Sequence, residues 1–302
     1  MKRNRILYTI LMVACCVLVA CSSDSDNTNP NEELYLAIPD ANFETELIEQ
    51  GIDSDGMVNQ QMLKSDAEEV IRLDLNLTAN FGDISDLTGI EGFVNLKLLS
   101  AANQNLENID LSANTLLDSL YLLGNGFTSI DLSKNTNLIF VDMQSNLLTS
   151  ISGLSELSQL KKLDVSWNNF EQLTVQNESI EVLNAGLNLL TSLNVEGSLS
   201  LKHLLLSTNK LATVDFSSNT LLEILLIADN QLENINLEDN SKLTHLHIFS
   251  NLLSDLDLSQ NLDLVEIKVD RNEPLTCIKI GDSQTIPSVS LSDYQELSST
   301  CN

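Results

Sequence analysis

The stretch "LLLSTNKLATVDFSSN", residues 204–219, contains one short pattern twice. In each copy, two apolar residues flank a third residue, and an asparagine follows three positions after the second apolar residue. An apolar residue on either side of a single intervening position is typical of a strand with one buried face. The stretch therefore predicts two very short strands, each followed by a turn with an asparagine. The two copies are Leu204-x-Leu206-x-x-Asn209 and Val214-x-Phe216-x-x-Asn219.

The first of these patterns recurs along most of the chain. After a first interval of 26 residues, the units start every 20 to 22 residues. A repeat of this length over ten units predicts a solenoid. The units begin at Val70, Leu96, Leu117, Leu138, Leu160, Ile180, Leu201, Leu222, Leu243 and Leu264. The residues eight positions later are Thr78, Gln104, Asn125, Asn146, Asn168, Asn188, Asn209, Asn230, Asn251 and Asn272.

The recurring asparagine has a physical reason. The turn after each strand leaves backbone N–H and C=O groups inside the coil, where water does not reach them. An asparagine side chain has two donors and an acceptor, so a column of asparagines can satisfy these groups from coil to coil. The second half of each unit repeats the device on the opposite wall, with an interruption in the middle units. That second column consists of Asn114, Asn135, Asn219, Asn240 and Asn261.

The consensus LxxLxLxxNxLxxLDLSxN resembles leucine-rich repeat proteins, in particular a short bacterial subclass with two repeat-like halves in each unit. The segment "ISDLTGIEGFVNL", residues 84–96, is similar to the corresponding part of internalin-type repeats. The resemblance covers residues 70–276 and implies short parallel strands in a repeat solenoid. It also implies a role in binding other proteins, for adhesion or recognition.

A solenoid needs a cover at each end. Residues 34–69 predict a helical N-terminal cap, with Asp40 as N-cap and Gly51 at the C-terminus of the helix. Within it, "DSDG" (residues 53–56) fits an acidic turn better than a calcium loop. Residues 277–302 predict a C-terminal cap whose Cys277 and Cys301 form a disulfide, as in similar bacterial repeat proteins; two free thiols are the alternative.

The N-terminus predicts export. Residues 1–20 combine a basic start with an apolar run too short to span a bilayer, which is typical of a signal peptide. The closing "LVAC", residues 18–21, resembles the lipobox of bacterial lipoproteins, which implies cleavage before Cys21 and lipidation of Cys21. An ordinary signal peptide is the alternative. The polar residues 21–33 predict a flexible tether, and the whole predicts a lipid-anchored protein of the outer membrane that faces the cell exterior.

Composition excludes some functions and disfavours others. The chain has 302 residues and a formal net charge of −28, so it would repel the phosphates of nucleic acids. Hydrophobic residues make up 43% of it, which is ample for a core. No nucleophile motif and no phosphate-binding glycine loop is present, so we predict a monomeric binding protein with no cofactor and no enzymatic activity.

The first wall predicts the binding surface, because many of its outward positions are apolar or aromatic. Exposed apolar side chains in a contiguous patch are typical of an interaction site. A protein partner is favoured, and a carbohydrate, stacked on Trp and Tyr, is the alternative. The predicted partner-binding residues are Tyr121, Phe140, Trp167, His203, Leu205, Ile224, Leu226, His245, His247 and Phe249; Leu98 and Val182 share the outward positions.

Two metal sites are weaker alternatives on these surfaces. His245, His247 and Glu266 could supply the ligands for zinc, although exposed histidines on a binding face are commoner. A row of aspartates on the second wall could hold calcium, although a solvated acidic face is commoner. That row consists of Asp110, Asp131, Asp215 and Asp257.

Overall fold

The structure is a computed structural model that describes residues 34–76 and 82–301. The predicted signal peptide, Cys21 and the tether lie outside the described residues, and so does Thr78. The chain divides into two units, residues 1–33 and residues 34–302. The second unit contains the solenoid and both of its end segments.

The first wall of the solenoid is an 11-stranded parallel sheet. Each strand has three residues, and each pairs in register with the strand of the next coil. The sheet runs past the last predicted repeat, because residues 288–290 add a final strand. The strands are Arg72–Asp74, Leu98–Ser100, Ser119–Tyr121, Phe140–Asp142, Lys162–Asp164, Val182–Asn184, His203–Leu205, Ile224–Leu226, His245–His247, Glu266–Lys268 and Ser288–Ser290.

The second wall is less regular. Strand Ser129–Asp131 pairs with Ser150–Ser152, and Gln172–Thr174 pairs with Ser192–Asn194. A short 3₁₀ helix, Ile90–Gly92, stands in place of a strand, and a second, Leu154–Glu156, follows the strand Ser150–Ser152. Elsewhere this wall is built mostly of turns, and backbone hydrogen bonds between coils are fewer.

Between the walls lies an aliphatic core. The middle residue of each first-wall strand points inward; Leu204, Leu225 and Leu246 are fully buried. Burying one such side chain stabilises the fold by about 1.5–3 kcal/mol. The predicted leucine-rich repeat solenoid is confirmed, with coils of the predicted length.

The predicted asparagine column of the first wall is a continuous hydrogen-bond ladder. Asn209 donates to the carbonyls of Ala185 on the previous coil and Leu206 on its own coil, both at 2.9 Å. Its Oδ1 accepts from the N–H of Leu190, also at 2.9 Å. Gln104 makes the equivalent bonds at the first rung, and Gln295 donates to two carbonyls at the last. These amides therefore join each coil to the one before it.

The second column satisfies fewer groups. Asn219 donates to the carbonyls of Val195 and Ser198 at 3.0 and 2.9 Å. Its Oδ1 is buried without a hydrogen-bond partner among the described residues. The interruption expected in the middle units is mostly wrong, because Asn177 and the hydroxyl of Ser198 take these rungs.

The N-terminal segment covers the first coil. Its helices are Ala41–Glu49 and Lys64–Glu68, and its strands Tyr35–Ala37 and Gln61–Leu63 pair antiparallel. Phe43 packs against Phe93 of the first coil, with ring centroids 6.4 Å apart.

Two carboxylates hold this segment together. Asp40 caps the first helix through the N–H groups of Asn42 and Phe43, and its other oxygen accepts from Ser85 of the first coil. Although burial opposes ionisation, these hydrogen bonds hold the pKa of Asp40 below its ordinary value. The buried carboxylate of Glu44 accepts from three consecutive backbone N–H groups, at residues 59–61.

The C-terminal segment is closed covalently. Strand Cys277–Lys279 pairs in parallel with Glu296–Ser298. The predicted disulfide between Cys277 and Cys301 is confirmed, with Cα atoms 5.7 Å apart. In the chain-entropy model such a crosslink stabilises the fold by about 3–4 kcal/mol.

Among the described residues, none of the helices has the length and apolarity needed to cross a membrane.

The two ladders predict unequal costs for losing an asparagine. Asn230→Ala on the first wall orphans the buried N–H of Leu211 and removes one of the two amide donors to each of the carbonyls of Leu206 and Ile227. We expect a loss of about 2–3 kcal/mol in the free energy of unfolding. Asn219→Ser on the second wall should lose about 1 kcal/mol or less, because Ser198 already serves as such a rung. Urea denaturation measures both; an equal loss would contradict the difference between the columns.

Candidate functional site

The outward surface of the 11-stranded sheet, called here the ladder face, carries most of the predicted binding residues. In the strands from Arg72–Asp74 to Glu266–Lys268 the first and third side chains point outward and the middle one is buried in the core, whereas Val289 in the last strand is 40% exposed. Ile224 and Leu226, for example, are half-buried on the outside, whereas Leu225 between them is fully buried. Because adjacent strands lie about 4.8 Å apart, outward residues in register form continuous rows.

Three aliphatic side chains, called here the apolar patch, come together on the ladder face. They are Leu205, Ile224 and Leu226. Leu205 pairs in register with Leu226, and both residues are half-buried. The three predicted histidines lie around the patch: His203 and His245 flank Ile224 in its row, and His247 follows Leu226.

Charged residues border the patch on the C-terminal side. His247 Nε2 lies 2.8 Å from Glu266 Oε1, and Lys268 Nζ lies 2.9 Å from the same oxygen. The hydrogen bond from Lys268, and to a smaller extent that with His247, holds the pKa of Glu266 below its ordinary value. His245 is in register with Glu266, but its Nδ1 contacts Thr244 Oγ1 at 2.9 Å instead. In the described part of the chain, no three His, Cys, Asp or Glu residues are arranged to hold a metal ion.

Phe249 does not occupy an outward strand position, and that prediction is wrong. The strand ends at His247, and the chain enters a left-handed turn at Ser250. Phe249 is half-buried, with the guanidinium of Arg271 4.8 Å from its ring centroid. This is a cation–π contact, so a partner would meet both side chains together.

The remaining aromatic residues lie on other coils. Tyr121 is in register with Asp142, and Phe140, which is 42% exposed, is in register with Lys162. Trp167 follows the next strand by three residues. The structure thus separates the predicted residues into an aromatic group near the N-terminal end and the apolar patch with its histidines.

Two carboxylates lie on the coils of the aromatic group, those of Phe140 and Trp167. Asp142 and Asp164 are in register on adjacent strands. Asp164 is 8% exposed; its Oδ1 accepts from the N–H and hydroxyl of Ser166, and its Oδ2 accepts from Asn184. Burial raises the pKa of Asp142 above its ordinary value, and the negative charge of Asp164 adds to this effect. The hydrogen bond from the N–H of Gln144 acts in the opposite direction.

The acidic row of the second wall serves a local purpose. Asp110, Asp131, Asp215 and Asp257 each accept a hydrogen bond of 2.9 Å from the N–H of the serine two residues later. In the first three, the hydrogen bonds of that serine hold the pKa below its ordinary value. For Asp257, desolvation opposes ionisation, but the contacts with Lys279 and Ser259 lower its pKa to about 2. The row is a set of turn-stabilising carboxylates.

A column of left-handed residues borders the ladder face, and sequence reasoning missed it. The residue before each rung from Gln104 to Asn272 has a φ between +53° and +69°. This conformation suits Gly, Asn and Asp and is unfavourable for bulky or β-branched residues. The column consists of Asn103, Gly124, Ser145, Trp167, Leu187, Thr208, Asp229, Ser250 and Arg271.

The fold is similar to that of several solved leucine-rich repeat structures. The functional domain of InlJ from Listeria monocytogenes matches at 22% identity and a TM-score of 0.62, over 85% of this chain and 61% of that chain. The leucine-rich repeat domain of APL1B matches at 20% identity and a TM-score of 0.63, over 70% of this chain and 65% of that chain.

A plant peptide hormone receptor, RGFR1, is similar as well. Its complex with RGF2 matches at 22% identity and a TM-score of 0.63, over 78% of this chain and 41% of that chain. This chain therefore spans less than two thirds of each of these three structures. No protein-family model and no curated protein sequence matches the chain. These likenesses show the leucine-rich repeat fold.

The carboxylate pair yields a prediction about pH. We expect the pKa of Asp142 to lie above its ordinary value, so its contribution to stability is present at low pH and lost as pH rises through the folded-state pKa. Asp164→Asn should lower the pKa of Asp142, because it removes the adjacent negative charge. The carboxyl chemical shift of Asp142, followed as a function of pH, gives its pKa in the wild type and in Asp164→Asn. Asp110→Asn is the distant control, and an unchanged Asp142 pKa in Asp164→Asn would contradict the coupling.

Proposed function

We propose that this protein is a recognition module whose ladder face binds a protein partner. The observation that carries the proposal is the apolar patch, in which Leu205, Ile224 and Leu226 point away from the core on two coils in register. These side chains contribute little to the core, which their inward neighbours fill. Partly exposed aliphatic side chains that lie together on an outer surface usually mark an interaction site.

The surroundings of the patch support a protein ligand. Interfaces between proteins combine an apolar centre with a polar, charged rim. Here the imidazoles of His203, His245 and His247 and the carboxylate of Glu266 form such a rim. The plant receptor that is similar in fold was solved in complex with RGF2. The ladder face of this chain would bind a partner of its own.

Aromatic side chains extend the proposed footprint. Tyr121 and Phe140 lie toward the N-terminal end of the ladder face, and Phe249 lies under Arg271 at the other side of the patch. Aromatic residues are frequent hot spots of binding. A partner that contacts both groups would span the coils from Tyr121 to Arg271.

The anchor and the location also belong to the proposal. The motif "LVAC" supports lipidation of Cys21, and the disulfide supports folding in an oxidising compartment. We therefore propose an exported monomer tethered by residues 21–33 to the outer membrane, with residues 34–69, 70–276 and 277–302 as cap, repeats and cap. The ladder face would then be presented to the cell exterior.

The binding surface is tested by Leu226→Asp in the full-length protein. The carboxylate would be buried by a partner without a compensating charge, so we expect binding to weaken by about tenfold or more. Partners crosslinked on intact cells are identified by mass spectrometry, and their affinity is measured with purified proteins. Thr174→Asp places the same charge on an exposed position of the second wall and serves as control. Equal binding by Leu226→Asp and wild type would contradict the proposal.

The anchor is tested separately by Cys21→Ala. Without the thiol no lipid can be attached, so we expect the protein to leave the membrane fraction or to keep its signal peptide. Membrane fractionation and the intact mass of the protein give the result. A variant that fractionates like wild type, with the same mass apart from the substitution, would show that Cys21 carries no lipid.

A further inference from the structure

Trp167 is the one tryptophan of the chain, and its position fits neither the backbone nor the core. Its φ of +56° is a conformation that bulky side chains rarely adopt. The residue is 59% exposed, so the indole gains little from burial. The neighbouring Asn168 makes the ladder hydrogen bonds of this coil. Each coil from Asn103 to Arg271 has a left-handed residue at this position, so the fold requires the backbone conformation but not a tryptophan. A large, exposed ring on such a backbone is a reason to look for a function.

The turn segment that contains Trp167 and the equivalent segments of the two adjacent coils are uncharged, although the protein has a formal net charge of −28. Three successive coils contribute the segments "QSNL" (144–147), "SWNN" (166–169) and "GLNL" (186–189), none of which has a charged side chain. On the next coil, the Gly186 carbonyl accepts the Trp167 N–H at 3.0 Å, and the uncharged Leu187 is the counterpart of Trp167 in the left-handed column. Asn169 is exposed, and its side-chain amide makes no hydrogen bond to the described residues. A neutral ligand could therefore approach the ring from this side.

Hydrogen-bond acceptors lie on the ladder face, on the strand that precedes Trp167 and on the strand of the preceding coil. Ser166, its neighbour in the chain, donates to Asp164 Oδ1 at 2.7 Å, and Asn184 Nδ2 holds Asp164 Oδ2 at 3.0 Å. Asp142 is in register with Asp164 on the preceding coil. Carboxylates can accept more hydrogen bonds than these two receive from the protein. The orientation of Asp164 is thus set before any ligand arrives.

We propose that Trp167, Asn169, Asp142 and Asp164 form a binding site for a neutral saccharide. The apolar C–H face of a sugar ring would stack on the indole, and its hydroxyl groups would donate to the carboxylates and exchange hydrogen bonds with Asn169. A purely apolar ligand fits less well, because it would strip water from Asp142 and Asp164 without replacing the lost hydrogen bonds. The net charge makes a nucleic-acid base an unsuitable ligand.

This site is separate from the apolar patch and does not rest on the proposed protein partner. Trp167 and Asp164 belong to the coil that starts at Leu160, whereas the patch begins two coils later. Failure of one proposal therefore leaves the other standing.

Because Trp167 is the sole tryptophan, its fluorescence reports on the site directly. The full-length protein is titrated with neutral hexasaccharides of β-1,4-linked glucose, N-acetylglucosamine or mannose, and with a hexa-arginine peptide as the charged probe. We expect a saturable change in emission with at least one hexasaccharide. Calorimetry then gives the affinity for variants that lack the fluorophore.

The variants separate stacking from structure. Trp167→Gly removes the ring and suits the left-handed backbone, so we expect affinity to fall about tenfold or more while the urea midpoint stays equal or rises. Trp167→Phe should keep much of the affinity, Asp164→Asn should weaken binding, and Leu226→Asp should leave it unchanged. The proposal is overturned if no hexasaccharide changes the emission, if hexa-arginine alone does, or if Trp167→Gly binds saccharide like wild type.

Discussion

Backbone amides and carbonyls buried inside the coils are the constraint on which the rest of this structure depends. Each coil is too short to pair these groups within itself, and water does not reach them. The first-wall amides, from Gln104 to Gln295, accept and donate between successive coils at nearly every rung. An unsatisfied group of this kind costs about 1–3 kcal/mol, so the ladder determines how closely the coils stack and in which register.

The register of the coils in turn produces the ladder face. Because every strand of the first wall pairs residue for residue with the next, outward positions align in rows whatever side chains occupy them. Their chemistry can then vary along the solenoid without affecting the core. Aromatic residues, the carboxylate pair, the apolar patch and the ion pairs of Glu266 follow one another along a single surface. The fold therefore supplies a scaffold on which several binding chemistries can be arranged in sequence.

The sequence pattern was sufficient to predict the repeat, the inward leucines, the first asparagine column and the disulfide. Each depends on spacing or on a residue with one dominant role. It was insufficient for Phe249, because apolar alternation continues past the residue at which the strand ends. Asn177 was missed because the interval between units changes near it. The turns at Asp110 and its equivalents were missed because a carboxylate next to solvent gives no sign of its backbone partner.

Side-chain pairing on the surface was predicted less well, since it depends on rotamers and not only on register. The backbone register places Glu266 beside His245, yet its carboxylate contacts His247 and Lys268. The left-handed column was not foreseen because its residues share a conformation and not a chemical type. Trp167 stands out only when that conformation is known. Local backbone geometry is thus what the structure adds to the candidate sites.

Amide hydrogen exchange at single residues tests the role of the ladder most directly. The N–H of Leu211 donates to Asn230 Oδ1, and that of Leu232 donates to Asn251 Oδ1. Both amides should exchange slowly in the wild-type protein. In Asn230→Ala, exchange at Leu211 should accelerate strongly while Leu232 keeps most of its protection. Fast exchange at both amides in the wild type, or no change at Leu211 in the variant, would contradict the dependence of the coils on the asparagine ladder.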